Sequence, residues 1–572
     1  MSSDPLEALT NQLSKTQMQG EGVSFVGKSL KLNDANDAQV VTQAIRGCKN
    51  MEFLNLEGNT VGVAAAKAIG VAISTHPELK RALWKDMFTG RMKDEIPQAL
   101  RYLGSGLDIA GARLVELDLS DNAFGPIGMD GLGVLLQSPS CYSLQELRLN
   151  NNGLGITGAK LLSRALMNCY ESSKNAGNTL PLRVFIAGRN RLENEGITAL
   201  SKVFKELGSL EEIQIPQNGI YHAGIRQLSE ALKCNTGLRV LNLNDNTLGP
   251  KGSTALAAAL PSLQMLRHIN LGDCLLKTSG ALSLAGGLQL KHPNLEELIL
   301  DQNEIKKNGG LAIVQAMENK SKLKTLSLDG NNFGEDGIKM VKAEMKKTRH
   351  PEALGSLSDD EGDEDSEEEV DEDNEEEEEE EESDNDESSI NNKSIASEKE
   401  ESVLPTMASV EDAMMKLLKK VTVTDFLQFP TPERFLALEG NKCQQILDEI
   451  KKSEGEEYLE RLLPTVMKVS GLTTERSVAQ AAMDCANTLY RELFTWATAH
   501  DNLSLVNNSL LVHLGLIKNE DKKWRAEYNQ VGCKIALKQA MAQNYFPQSS
   551  RETINCFLQK RITESIETVT LS

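Results

Sequence analysis

The chain has 572 residues and a formal net charge of −22. Of its 83 acidic residues, 23 fall among the 29 residues from Asp359 to Glu387, where no Lys or Arg occurs, so the other 60 face 61 basic ones. This is a nearly neutral polypeptide with one polyanionic segment. The charge does not support a duplex-DNA binder with a basic face, and no apolar run reaches the roughly 18 residues of a membrane span.

The opening Met1–Pro5 lacks a basic region leading into an apolar stretch, so no secretory leader is expected. The nine cysteines are dispersed with no Cys-x-x-Cys pair, which suits free thiols in a reducing compartment. The seven histidines are scattered too, and no metal-ligand cluster is expected. The length allows about two to four domains.

In chain order, Gly22–Ser29 first fits the phosphate-loop pattern G-x-x-x-x-G-K-[ST]. That motif needs a strand before it and a helix directly after it. Polar Thr16–Gly22 precedes it and Leu30-Lys31-Leu32 follows, read as the strand of a degenerate repeat, so no nucleotide site is expected.

A pattern L-x-x-L-x-L-x-x-N then recurs through the first 350 residues. Its closing positions are Asn59, Asn122, Asn152, Asn190, Asn218, Asn246, Cys274, Asn303 and Asn331, with spacings of 28, 28, 28, 29 and 28 from Asn190 onward. This is the leucine-rich-repeat signature. Each copy predicts a short strand, a turn and an amphipathic helix, and the copies must stack to bury their apolar faces. The closing Asn is expected to turn inward and bond loop backbones in a ladder. The glycine three residues on (Gly62, Gly125, Gly155, Gly249, Gly334) suits a turn with positive φ.

One copy departs from this. The register lands on Met87 instead of Asn, and the next copy is delayed to 35 residues. Broken local rules mark either function or a repeat that has drifted. Phase arithmetic places Arg91 and Asn151 on the same rim, where strands end and helices begin, with Asp86, Asp121, Asp245 and Asp273. Glu116, Asp118, Glu146, Glu212 and Glu297 lie on the concave strand face, predicting an acidic surface for a basic protein partner.

Lys346–Arg349 closes the last helix and Pro351 is read as the end of the domain. Residues 351–402 are acidic and Ser-rich and are expected to be disordered. From about Leu404, apolar spacing predicts helices over Val410–Val421, Pro432–Leu438 with Thr431 as N-cap, Cys443–Lys452, Glu457–Val469, Val478–Leu493, Asn508–Leu516 and Val531–Ala542. The expected architecture is an α/β leucine-rich-repeat horseshoe of ribonuclease-inhibitor type over 1–350, an acidic linker over 351–402, and a separate all-α domain over 403–572.

The stretch Phe88–Pro97, with Ser120–Pro126, Asn151–Gly155 and Gly188–Asn194, resembles the Ran GTPase-activating protein family. The acidic tract after the repeats fits that resemblance, and the C-terminal domain resembles animal members. The resemblance implies a GTPase activator that speeds hydrolysis of Ran-bound GTP in the cytoplasm and supports nucleocytoplasmic transport. The hydrolytic site then lies on Ran, which brings the GTP and Mg²⁺, and the chain needs no cofactor of its own. It also implies that the GTPase's own catalytic Gln is positioned, with no arginine finger inserted. Asn151 matches the family Asn that contacts this Gln, Arg91 an Arg essential for activity, and Lys93 a neighbouring interface Lys. Asp121, Asn122, Arg189, Asp245 and Asp273 are expected to bind the partner.

Ile517–Glu520 fits the ψ-Lys-x-Glu pattern for SUMO attachment, as does Val341–Glu344 within the last repeat helix. The segment His513–Lys522 resembles the one modified in vertebrate members, although Ile-Lys-Asn stands at 517–519 where they usually carry Leu-Lys-Ser. Lys518 is therefore the expected acceptor. Modification there implies partnership with a SUMO-conjugating enzyme and a large Ran-binding nucleoporin at the cytoplasmic face of the pore. No nucleic acid or membrane insertion is expected. The acidic tract is read as an accessory that attracts basic partners only within a Debye length of about 8 Å. The competing reading is a pure interaction protein. Acidic leucine-rich nuclear proteins and ribonuclease-inhibitor-like binders also combine these elements, but the first group has repeats near 24 residues and ends at its acidic tail.

Overall fold

The computed structural model describes residues 20–289, 292–360, 362, 422–428, 430–438, 440–452, 455–475, 477–517 and 528–558. Two compact units divide near residue 414.

The strands of the first unit, in chain order, are β1 (Gly22–Ser24), β2 (Lys31–Leu32), β3 (Phe53–Asn55), β4 (Thr60–Val61), β5 (Arg81–Leu83), β6 (Glu116–Asp118), β7 (Glu146–Arg148), β8 (Val184–Ile186), β9 (Glu212–Gln214), β10 (Val240–Asn242), β11 (His268–Asn270), β12 (Glu297–Ile299) and β13 (Thr325–Ser327). Eleven of them form one parallel sheet in sequence order, and β2 and β4 pair separately. A helix follows each later strand and packs on the helices of the adjoining copies, which gives an α/β horseshoe solenoid. In the long sheet from β3 onward each strand's central residue, such as Leu117, Leu147, Phe185 or Leu241, is buried. Its two neighbours in the strand point to the concave face, as the two-residue strand period requires.

The ladder forms as the repeat phase predicts. Asn218 Oδ1 accepts from the Asn190 backbone N–H at 3.0 Å, and its Nδ2 donates to the Ile215 and Ala187 carbonyls at 3.0 Å each. One side chain thus satisfies three buried backbone groups in two copies, groups that would be costly to leave unpaired. Cys274 takes the same inward place, its thiol donating to the Leu243 carbonyl at 3.3 Å and the Gly272 carbonyl at 3.4 Å.

The structure differs from the sequence reading at three places. The concave strand of the first copy is β1, at Gly22–Ser24, paired in register with Phe53–Asn55. Leu30 and Leu32 instead flank or join the smaller β2–β4 pair. No helix follows Gly22–Ser29, in keeping with rejection of the phosphate loop. Gly62 has φ −85°, not the positive φ of Gly125, Gly155, Gly249 and Gly334. A Cβ at Gly62 would lie 2.9 Å from the Asn33 carbonyl and 3.1 Å from Arg91 Nη1, so close approach is what its place requires. Finally, the folded unit does not stop at Pro351. Leu354 bridges to Leu326, and the Asp360 carboxylate accepts from Phe333 N at 2.8 Å and Gly334 N at 3.0 Å. Those groups lack a following copy to satisfy them, and the first acidic residues supply the acceptor. The remainder of the 351–402 segment lies outside the described residues, apart from Gly362.

The second unit is helical over its described residues. Helices Pro432–Ala437, Lys442–Ile450, Gly455–Gly471, Ala479–Ala499, Leu503–His513 and Gln530–Met541 correspond to predicted ones, and Thr431 caps the first by accepting from Arg434 N at 3.3 Å. Val423–Gln428 is a further helix, too short for apolar spacing to reveal. The predicted helix at Val410–Val421 lies outside the described residues. Helix Gly455–Gly471 packs on Ala479–Ala499 and Gln530–Met541 around Leu462, Val466, Tyr490, Phe494 and Leu537. All nine cysteines are free thiols. No described helix is long and apolar enough to cross a membrane.

Candidate functional site at the rim of the first repeats

The residue before each closing position has a left-handed backbone. Gly58, Asp86, Asp121, Asn151, Arg189, Gln217, Asp245, Asp273, Gln302 and Gly330 have φ between 46° and 72°. This conformation suits Gly, Asn and Asp best. It lifts each such residue out at the same place in its copy, so that its side chain lines the rim while the next residue turns inward.

Asp121, Asn151 and Arg189 meet on this rim. Asn151 Nδ2 donates to Asp121 Oδ1 at 3.0 Å, and Arg189 Nη2 lies 3.7 Å from the same oxygen. Lys85 Nζ, from the copy before, is 3.4 Å from Asp121 Oδ2 and 3.8 Å from Glu57. Burial opposes the charge on Lys85, but Asp121, Glu57 and Asp118 outweigh it and hold the amine's pKa up. A carboxylate can only accept, so Asn151 turns its nitrogen to Asp121 and keeps its oxygen as an acceptor. Asn151 itself is exposed.

Arg91 is placed differently. Its Nη2 bonds the Leu32 carbonyl at 3.1 Å, Asn33 Oδ1 at 2.9 Å and the Thr60 carbonyl at 3.1 Å. The guanidinium therefore reaches back across two copies. It does so where Met87 leaves the ladder without a rung: the Asn59 N–H turns to its own Leu56 carbonyl at 3.3 Å, and Thr60 Oγ1 donates to the Thr89 carbonyl at 2.7 Å. Arg91 and Thr60 tie together loops that an Asn joins elsewhere. Met87 and Phe88 are buried beneath this loop, while Thr89, Gly90, Met92 and Lys93 are exposed. Lys93 has no ion-pair partner among the described residues.

Asn122 is not on the partner-facing surface. It is 3 % exposed, accepts from Met87 N at 2.8 Å and donates to the Trp84 and Leu119 carbonyls. The expectation that it binds a partner is corrected: closing positions point inward as ladder residues. Asp245 takes a hydrogen bond from Gln217 Nε2 at 2.7 Å. Burial and the neighbouring Asp245 push the Asp273 carboxyl up. These two acids form a second rim group, several copies from Asn151.

The concave face is less acidic than expected at β6 and β7, because Glu116 and Glu146 are paired with arginines. Arg81 Nε lies 2.7 Å from Glu116, Arg148 lies 3.6 Å from Glu116 and 2.7 Å from Glu146, and His268 lies 3.2 Å from Glu297. Burial pushes the Glu116 carboxyl up despite the hydrogen bond from Arg81. Sequence reasoning missed Lys85 and Thr60. The repeat phase could have pointed to Lys85, which sits two residues before a closing position and so beside Asp121 of the next copy. Lys518 lies outside the described residues.

The RanGAP1 C-terminal domain family matches residues 375–571, and the Leucine Rich repeat family matches 114–133, 234–257 and 319–341. The chain is 48% identical over 569 residues to Ran GTPase-activating protein 1 of Xenopus laevis, covering 98% of this chain and 96% of that one. It is 42% identical over 582 residues to Ran GTPase-activating protein of Drosophila melanogaster, covering 95% and 97%. Ran GTPase-activating protein 2 of Caenorhabditis elegans is 52% identical over 199 residues, 34% of this chain and 21% of that one. With the repeats and the near-full-length similarity in agreement, the chain belongs to the Ran GTPase-activating protein family.

Proposed function

We propose that this chain activates the small GTPase Ran, completing an active site that lies on Ran and holds the GTP and Mg²⁺. The observation that carries this reading is the exposed amide of Asn151, whose nitrogen donates to Asp121 at 3.0 Å so that its oxygen keeps its acceptor capacity. That oxygen accepts from the carboxamide N–H of Ran's catalytic Gln. The Gln oxygen is then left to orient the attacking water. Activators of GTPases contribute roughly 10³–10⁵ in rate, or up to about 7 kcal/mol of barrier. Here the contribution comes from orientation, which reaches this size when reacting groups are held in near-attack geometry.

Arg91 acts as a brace and not as a finger. A finger must extend freely into the phosphates, whereas the Arg91 Nη2 is shared among three acceptors within the chain. Lys93 and Arg189, exposed on either side, meet acidic groups of Ran. Asp245 and Asp273 meet its basic groups further along the rim. The protein works in the cytoplasm in nucleocytoplasmic transport. A fraction is held at the pore through SUMO on Lys518, the conjugating enzyme and a Ran-binding nucleoporin.

The test is single-turnover phosphate release from purified Ran·GTP. Asn151→Ala should lower the stimulated rate by roughly a hundredfold or more while the complex still forms. Full stimulation by the variant would reject the site. A tight complex of the wild-type chain with Ran·GTP and no acceleration would mark a pure interaction protein.

A further inference from the structure

We infer that Asp121 is a positioning residue for Asn151: its carboxylate selects which end of the Asn151 amide the GTPase meets. This rests on the proposed role of Asn151 and adds the group that orients it. An exposed Asn side chain can rotate its amide by half a turn and present either oxygen or nitrogen. The two faces are not equivalent to an incoming Gln. An Asn oxygen binds the Gln nitrogen and leaves the Gln oxygen for water. An Asn nitrogen would occupy the Gln oxygen and leave water unheld.

The geometry at Asp121 removes this ambiguity. Asp121 Oδ1 takes Asn151 Nδ2 at 3.0 Å, and an ionised carboxylate offers nothing for an amide oxygen to accept. The carboxylate is itself held at both oxygens, by Lys85 on Oδ2 at 3.4 Å and Arg189 on Oδ1 at 3.7 Å. Those cations come from the copy before and from two copies after, so the solenoid grips Asp121 from both sides. Its backbone is fixed as well: Asp121 has φ 59° and Asn151 φ 51°, and the Asp121 and Asn151 N–H groups donate to the Asn150 and Gly188 carbonyls at 2.8 Å each. The backbone thus sets both side chains at fixed places on the rim, and Asp121 sets which end of the amide faces it.

The test exchanges the two side chains in the full chain and measures single-turnover hydrolysis against activator concentration. Asn151→Asp alone sets two carboxylates about 3 Å apart, where like charges repel, and should cost roughly as much as Asn151→Ala, about a hundredfold. Combining it with Asp121→Asn restores a donor-to-carboxylate pair, with the amide now at 121 and an acceptor oxygen still outward at 151. The double variant should recover at least about tenfold over Asn151→Asp. Asp121→Leu, which removes the acceptor, should lower kcat roughly ten- to a hundredfold and leave KM within about threefold.

A double variant that melts like wild type but shows no recovery overturns the inference. So does an Asp121→Leu protein that loses affinity with kcat intact, since Asp121 would then be a contact and not an orienter. Should the double variant fail to fold, the kcat and KM values of Asp121→Leu decide alone. Full activity of Asn151→Ala would instead overturn the proposed function, so the two failures are distinct.

Discussion

Arg91→Ala is the substitution that best separates a brace from a catalytic contact. It removes an Nη2 that lies 3.1 Å from Leu32 O, 2.9 Å from Asn33 Oδ1 and 3.1 Å from Thr60 O. That nitrogen carries only two hydrogens, so the three acceptors share them and the loss amounts to about two charge-assisted bonds. Bonds to a charged group contribute about 1.5–3 kcal/mol each. The Leu32 carbonyl keeps its bond from Gly62 N at 2.7 Å, and Asn33 keeps Asp37, so part of the loss is offset. The net cost is about 2–3 kcal/mol, and it falls where the third copy meets the first two, because Met87 supplies no ladder rung to the Asn59 copy. Amide exchange at Thr60, Val61 and Gly62 should therefore quicken by roughly 30- to 150-fold, since each 1.4 kcal/mol is tenfold. Stimulation of hydrolysis falls with it as the Thr89–Lys93 rim loses its hold. Arg91→Lys should restore little of either, because an ammonium is a compact point charge without the planar fork. Asn151→Ala provides the contrast: it loses one exposed bond, less than about 1 kcal/mol, and should abolish stimulation with exchange at Thr60–Gly62 unchanged. The assay is hydrogen–deuterium exchange alongside single-turnover hydrolysis. Normal exchange in an inactive Arg91→Ala protein would refute the brace and assign Arg91 to direct contact with the GTPase.

Lys320 is buried with its Nζ on the Leu288 carbonyl, and burial pushes its pKa down to about 8 from the usual 10.5. Below pH 8 both folded and unfolded chains carry the proton. Between pH 8 and 10.5 only the unfolded chain does, so stability of the repeat unit should rise with pH there, by at most roughly 3 kcal/mol. A Lys320→Met protein whose urea midpoint follows the same slope would remove this assignment. Asp360→Ala should cost the repeat unit about 1–2 kcal/mol through the lost acceptor at the start of helix Gly334–Met345, while Asp360→Asn should cost a few tenths. Equal unfolding midpoints for the two variants would show that the acidic residues do not cap the solenoid. Lys518→Arg should eliminate the mass-shifted SUMO conjugate without altering stimulated hydrolysis. A conjugate that persists in the variant would move the acceptor elsewhere.

The repeat could be read from sequence because a solenoid is a one-dimensional stack. Each copy touches its neighbours alone, so Leu117 and Leu119 are buried for the same reason as Leu241 and Leu243. Spacing therefore carries both the strand positions and the inward turn of the closing Asn. The same phase places Asp121, Asn151 and Arg189 on one rim. The partner-binding expectation for Asn122 rests on the resemblance and not on the phase, which makes it a buried ladder position. The phase missed β1, whose Gly22-Val23-Ser24 lacks the leucines that mark later strands.

Sequence alone sets the backbone plan: the recurrence of the copies, the strands of the long sheet from β3 onward, the residue that turns inward and the one that stands on the rim. Tertiary structure alone decided which rim groups are paired and which remain available. Arg91 finds Asn33 across 58 residues, Asn151 finds Asp121 across 30, and Lys85 finds Asp121 across one copy. Those choices depend on rotamers, donor geometry and left-handed turns that bring side chains of successive copies within about 3 Å. Hydrophobic periodicity is blind to them because it records burial, whereas the orientation of an exposed amide is set by the one acceptor beside it.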